Sequence, residues 1–277
     1  MNFKSIVLSV ISVILPAFVD CQSTTNYENY LKYLPGQLKL DEKEPQKYIM
    51  VTDDFDYDLS GNFIKKTRYT GEYTRGLKNG YSKWNNVRVS VANSENGVYS
   101  TGEKQEAMEN LMYKSEPSGE LFTNAFFSRI PEPNIQYRNM VWDMLGFELY
   151  AWQYFDSLKL NLEFSPVINN NVAVMQGEGT YEVKKLKLKW TGITKQNNKT
   201  CAIIQYRMLN NPFHFDYLEV AVKGISNVWG NVYVSLVDKQ IEYAELYEDI
   251  LMDIKIKGQE NSVMQKSNRH ITLNKIQ

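Results

Sequence analysis

From Tyr48 onward apolar and polar residues alternate with a period of two, as in strands that bury one face. Tyr48 to Leu59 and Phe63 to Thr74 flank Ser60-Gly61-Asn62, a hairpin turn by composition. Asn79-Gly80 is a stronger turn signal, because both central residues of a type I′ turn need positive φ. It leads into Lys83–Ala92, where Val87, Val89 and Val91 alternate with Arg88 and Ser90. Asn96-Gly97 repeats the device before Val98-Tyr99, so the spacing predicts a four-stranded antiparallel meander.

The middle of the chain changes period. Glu103 to Lys114 consists of good helix formers, with Ala107, Met108, Leu111 and Met112 spaced for one helical face. After the breaks at Pro131 and Pro133, Val141 to Leu158 is apolar all round, which predicts a buried helix. Its aromatic content leaves a pair of strands as the alternative. Past Gly177-Glu178-Gly179 the strand period returns. Val183, Leu186, Leu188 and Trp190 alternate with Lys185, Lys187 and Lys189, one dry face and one wet. Further strands are expected at Cys201–Met208, Tyr217–Lys223, Trp229–Val237, Gln240 to about Ile256, and His270–Leu273. The whole reads as mainly β: a strongly curved antiparallel sheet or incomplete barrel of about 8 to 11 strands, packed against one or two helices.

The start of the chain has its own pattern. Lys4 precedes an apolar run from Ser5 to Val19, and a polar stretch opens at Asp20, so residues 1–21 read as a secretory signal peptide. That run is shorter than the about 20 residues that span a bilayer, and no later apolar run approaches that length. The expected location is therefore secreted, periplasmic or cell-surface. Cys21 either ends the leader or carries a lipid anchor as the first residue of a bacterial lipoprotein. Residues 22–46 read as a polar lead-in or tether. Residues 47–277 read as one β-rich domain: a first meander over 47–102, a helical insert over 103–160, and a second meander over 177–277.

Composition removes several classes of function. A net charge of −1 lacks the basic surplus that sequence-blind nucleic-acid binding needs. The two histidines and two cysteines, Cys21 at the end of the leader among them, stand far apart with none of the short spacings of a zinc motif, so no zinc site is expected. Nucleophilic catalysis with a histidine base reduces to Cys201 with His214, and Cys201 reads better as a small buried side chain beside Ala202-Ile203-Ile204. Asp54, Asp56 and Asp58 share one strand face, but Leu59 and Lys65 stand where a calcium loop needs glycine and glutamate. They read as a solvated face opposite Lys65 and Lys66. No catalytic residue, metal ligand or cofactor is assigned.

Aromatic residues make up 13% of the chain, and tyrosine and tryptophan on a sheet can line an apolar pocket while their polar ends stay wet. Trp142, Phe147, Trp152, Trp190 and Trp229 are the candidate lining residues. The order of strands, apolar segment and strands resembles that of periplasmic lipoprotein carriers and related lipid-binding proteins. That resemblance implies a sheet whose concave side is plugged by helices. The expected function is an exported, non-enzymatic binding protein that holds an apolar small molecule or lipid between sheet and helix. The alternatives are a secreted glycosidase-like hydrolase working through two carboxylates, and a structural or adhesive surface protein.

Overall fold

The computed structural model describes residues 38–115, 124–127, 135–168, 172–174 and 179–276, within the compact unit Tyr33–Gln277. The leader expected over residues 1–21, the lead-in up to residue 37, Pro131, Pro133, Gly177 and Glu178 lie outside the described residues.

Strands β1 (Gln46–Asp58) and β2 (Phe63–Leu77) make the first hairpin. Its turn is held by the Asp58 carboxylate, which accepts the backbone N–H of Asn62 at 2.8 Å and its side-chain amide at 2.7 Å. Asn79 and Gly80 both have positive φ, 67° and 74°, as their turn role requires. They lead into β3 (Tyr81–Ala92), which is edged by β4 (Glu103–Lys104) and β5 (Leu111–Lys114). Two helices follow, α1 (Asn124–Phe127) and α2 (Ile135–Glu148), and α2 runs on into a π-helical turn at Leu149–Gln153. The remaining strands are β6 (Glu163–Phe164), β7 (Val172–Val174), β8 (Thr180–Glu182), β9 (Leu186–Gln196), β10 (Lys199–Tyr217), β11 (Val220–Ser235), β12 (Ile241–Ile256) and β13 (Val263–Lys275).

These strands form one antiparallel sheet that is not closed into a barrel, in the order β4-β3-β2-β1-β13-β12-β11-β10-β8-β7. β5 adds to β3, β9 to β10, and β6 to β9, for 13 strands among the described residues. That exceeds the number the alternation marks, because β4, β6, β7 and β8 are too short to display a period. The last strand returns to the first: β13 pairs β1 from Tyr48↔Lys275 to Asp58↔Gln265 and joins the two meanders. No helix among the described residues is long and apolar enough to cross a membrane.

Alternation sends Tyr48, Met50, Tyr73, Leu188, Ile204, Val232, Leu246 and Ile271 to one face, the inner one, where all are buried. Helix α2 lies across it. Glu148 accepts the Tyr73 hydroxyl of β2 at 2.9 Å, and Tyr150 stacks on Tyr206 of β10 with ring centroids 4.1 Å apart. The Trp152 indole N–H donates to the Lys239 carbonyl, between β11 and β12, at 2.7 Å. One helical segment thus reaches strands far apart in the sheet order, so the sheet curves around it. Close approach needs glycine at Gly230, where a Cβ would sit 2.5 Å from the Tyr206 hydroxyl.

Two expectations give way. Residues 103–114 form β4, a 3₁₀ turn at Glu106–Met108 and β5 instead of a helix. Leu111–Lys114 pairs with Tyr81–Trp84, satisfying edge amides and carbonyls of β3 that a helix would leave bare. Asn96-Gly97 does turn the chain, with Gly97 N–H bonded to the Ser94 carbonyl at 3.0 Å, but Val98-Tyr99 is not a strand. Tyr99 instead lies over the Arg68 guanidinium at 4.4 Å and donates to Asp53 at 2.8 Å. The helix expected over 141–158 is present, begins earlier at Ile135, and changes to a π turn at Leu149.

Candidate functional site

A charged row divides the inner face into a near half and a far half. The near half is filled by α2 and its π turn. Phe147 (0% exposed) and Trp190 (2%) belong to that core, and Trp142 and Trp152 are partly buried against it. Trp142 meets Phe127 edge-on at 5.7 Å, and Trp152 lies under the Arg75 guanidinium at 4.2 Å. All four belong to or pack against the same apolar cluster.

Trp229 does not join them. Its neighbours Val228 and Gly230 point inward, so alternation turns Trp229 to the outer face, 38% exposed. There it stacks on Tyr247 at 6.0 Å, and Tyr247 stacks on His270 at 4.5 Å.

The dividing row centres on Arg269 of β13, which is buried. Its guanidinium pairs with Asp143 of α2 at 2.5 Å, Asp54 of β1 at 3.3 Å, and Glu248 of β12. Ser226 donates to Glu248 at 2.5 Å and lies 3.1 Å from the Tyr181 hydroxyl. Three carboxylates thus share one guanidinium, with Asp143 and Glu248 nearly out of water and Asp54 21% exposed. Burial pushes Asp143 up to about 7 and Asp54 up to about 6, with Arg269 pulling the other way. Closer to the helix end, burial likewise lifts Glu148 to about 7 against the opposing Arg75, 3.1 Å away.

Asp54 was expected on a solvated strand face and is instead enclosed, because Arg269 faces it across the β1–β13 register. Asp56 does meet Lys65 across the hairpin at 3.7 Å, and Asp58 closes the turn. Among the described residues no group of three or more His, Cys, Asp or Glu is placed to hold a metal ion. Sequence reasoning passed over Arg269, Asp143 and Glu248. A signal existed for Arg269: it occupies the inward phase set by Ile271 and Leu273, where a charge must be paired.

The far half lies beyond this row. In register across β10, β11 and β12 stand Phe213, Gly224 and Met252, then Phe215, Val222 and Ile254. Tyr181 of β8 stacks on Phe213 and Phe213 on Phe215, each pair at 6.4 Å and nearly parallel. Phe213 and Val222 are buried, while Tyr181, Phe215, Ile250, Met252 and Ile254 stay partly exposed and Val263 is 56% exposed. This is an apolar surface with its upper side partly open.

Hydrolytic chemistry has little to work with here. Two acids cleaving a polymer need access for substrate and water, whereas Asp143 and Glu248 are locked on Arg269 beneath α2. Cys201 and His214 sit on one strand, roughly 43 Å apart at about 3.3 Å per residue, and burial pushes the Cys201 thiol up to about 12. The arrangement can hold apolar matter beside a row of groups able to exchange protons.

No protein-family model and no curated protein matches the chain. Among solved structures, it is similar to a chain from work on lipid–protein interactions in lipovitellin, at 13% identity and a TM-score of 0.42. The similarity covers 84% of this chain and 25% of that one, so this chain spans about a quarter of that protein's length. A likeness that distant carries no argument about function.

Proposed function

We propose that the protein is an exported, non-enzymatic binding protein whose far inner face takes an apolar or amphipathic ligand. The observation that carries this reading is the contiguous partly exposed apolar surface from Phe215 across Ile254 to Val263. It is built on strands hydrogen-bonded to neighbours on both sides, which keeps the surface pre-formed. An apolar tail lying along Phe215, Met252 and Ile254 would leave water, and a polar end would meet Tyr181, Ser226 and the Arg269 row. The ligand seat is therefore placed beyond the charged row rather than between Phe147 and Trp190. The leader-like pattern from Lys4 to Asp20 supports the export half of the proposal.

Titration of the protein with an environment-sensitive fluorescent fatty acid tests this. Saturable binding with blue-shifted emission is expected, and Ile254→Asp is expected to abolish it. Absence of saturable binding, or binding that survives Ile254→Asp unchanged, would sink the reading. N-terminal sequencing of the mature protein checks export, with loss of Met1 to about residue 21 expected.

A further inference from the structure

The outer face carries a basic crevice that the inner-face reading does not use. Leu186, Leu188 and Trp190 take the inner side of β9, so Lys187 and Lys189 stand on the outer side. β10 sets Arg207 opposite Lys187 and Gln205 opposite Lys189. β6 supplies a wall by pairing Glu163 with Lys189. Asn161, with φ of 60°, turns the chain into that wall, and its N–H bonds the Trp190 carbonyl at 2.8 Å. The result is a crevice of about 230 Å³ lined by Asn161, Glu163, Lys187, Lys189, Gln205 and Arg207 over the backbone of Leu188.

Three cations face one carboxylate in this space. Glu163 accepts from Lys187 Nζ and from Arg207 Nη2, both at 2.7 Å. Lys189 has no ion pair among the described residues, and Lys185 stands exposed just before β9 begins. A single carboxylate leaves the crevice with an excess of positive charge. It also marks where an anion's oxygens would sit, at once within reach of an ammonium and of a guanidinium edge.

We propose that the crevice binds a phosphate-type dianion, with Arg207, Lys187 and Lys189 as donors and Glu163 as a tethered competitor. A guanidinium presents parallel N–H groups matched to a tetrahedral oxyanion, and the two ammonium groups add charge without directional demand. The amides of Asn161 and Gln205 offer neutral donors at the rim. A dianion neutralises the crevice more fully than one carboxylate does, so it displaces Glu163 toward solvent, where that side chain is already partly exposed. The same chemistry is found in free phosphate and in the phosphomonoester headgroup of a lipid.

Calorimetric titration of inorganic phosphate into the full chain at low salt is the first arm. Saturable binding is expected, tightened several-fold by Glu163→Gln and weakened several-fold by Lys189→Ala and by Arg207→Gln. Lys189→Ala removes no ion pair, so its fold is expected to match the parent by circular dichroism. The second arm sediments the protein with phosphatidylcholine vesicles, plain or doped with phosphatidic acid. Lys189-dependent pelleting with phosphatidic acid assigns a lipid headgroup, and phosphate binding without pelleting assigns the free anion. If neither probe binds, or if Glu163→Gln binds phosphate no better than the parent, the inference is wrong. Failure of the fatty-acid probe on the inner face would leave this outcome untouched, because the two sites occupy opposite faces.

Discussion

The near and far halves of the inner face are made by the same long strands, yet one is filled and the other half-open. On the near half, Phe147, Tyr150 and Met140 of the helical segment interlock with Tyr206, Tyr73 and the floor of β2 at Gly71. On the far half, Phe215, Met252 and Ile254 share the same inward phase but keep part of their surface in water. Between them lies the Arg269 row, whose desolvation is costly and whose acids come from β1, α2 and β12 together. The comparison teaches that alternation tells which face is inward, while a second element decides whether that face becomes core or a surface for something else.

The contrast breaks most plainly at Phe147. Phe147→Ala deletes a fully buried ring and is expected to cost about 3–5 kcal/mol in denaturant unfolding. A loss under about 1 kcal/mol would make the near half as loose as the far half.

The boundary row is sharpened by Arg269→Met, which leaves buried Glu248 and the partly buried Asp143 and Asp54 without their cation. The expected loss is about 3–5 kcal/mol at pH 8, shrinking at pH 5, where Asp143 and Asp54 can take up protons. Equal losses at both pH values would show that the acids do not depend on Arg269.

A smaller effect is expected in the parent protein's own pH profile. Asp143, Glu148 and Asp54 titrate higher in the folded chain, at about 7, 7 and 6, than an ordinary carboxylate near 4. Between pH about 4 and 7 the folded state therefore holds more protons than the unfolded one. This contribution to stability is complete below pH about 4 and is lost as pH rises through 7. Thermal unfolding from pH 5 to 8 should show the decline, and Asp143→Asn should flatten it; an unchanged slope in that variant would remove Asp143 from the explanation.

The smallest expected effect on stability is at the far half. Ile254→Asp should cost about 1 kcal/mol or less, since the side chain is already partly in water, while removing fatty-acid binding. A collapse of the fold would mean that Ile254 is core.

Parts of this architecture were legible because their cause is local. The hairpin at Asp58–Asn62 and the positive φ of Asn79 and Gly80 follow from residues at the turns themselves. The inward phase of Leu186, Leu188 and Trp190 follows from pleat geometry. Glu103–Lys114 was misread because helix propensity is a weak preference, and the open edge of β3 outweighed it. Of the candidate lining residues, Phe147 and Trp190 are buried in the core cluster and Trp142 and Trp152 pack against it, a result of volumes brought together from different elements. Asp143 and Arg269 are 126 positions apart, so no window of sequence contains their pairing.

By itself, then, the sequence determined strand periods, turn positions, the wet and dry sides of most strands and the apolar character of the central helix. Each of these depends on neighbours within a few residues. Only the tertiary structure decided that β13 returns to β1, that Asp54 pairs with Arg269, and that Glu163 bridges Lys187 and Arg207. Those outcomes turn on register between distant strands, where moving one residue along exchanges the two faces of the sheet.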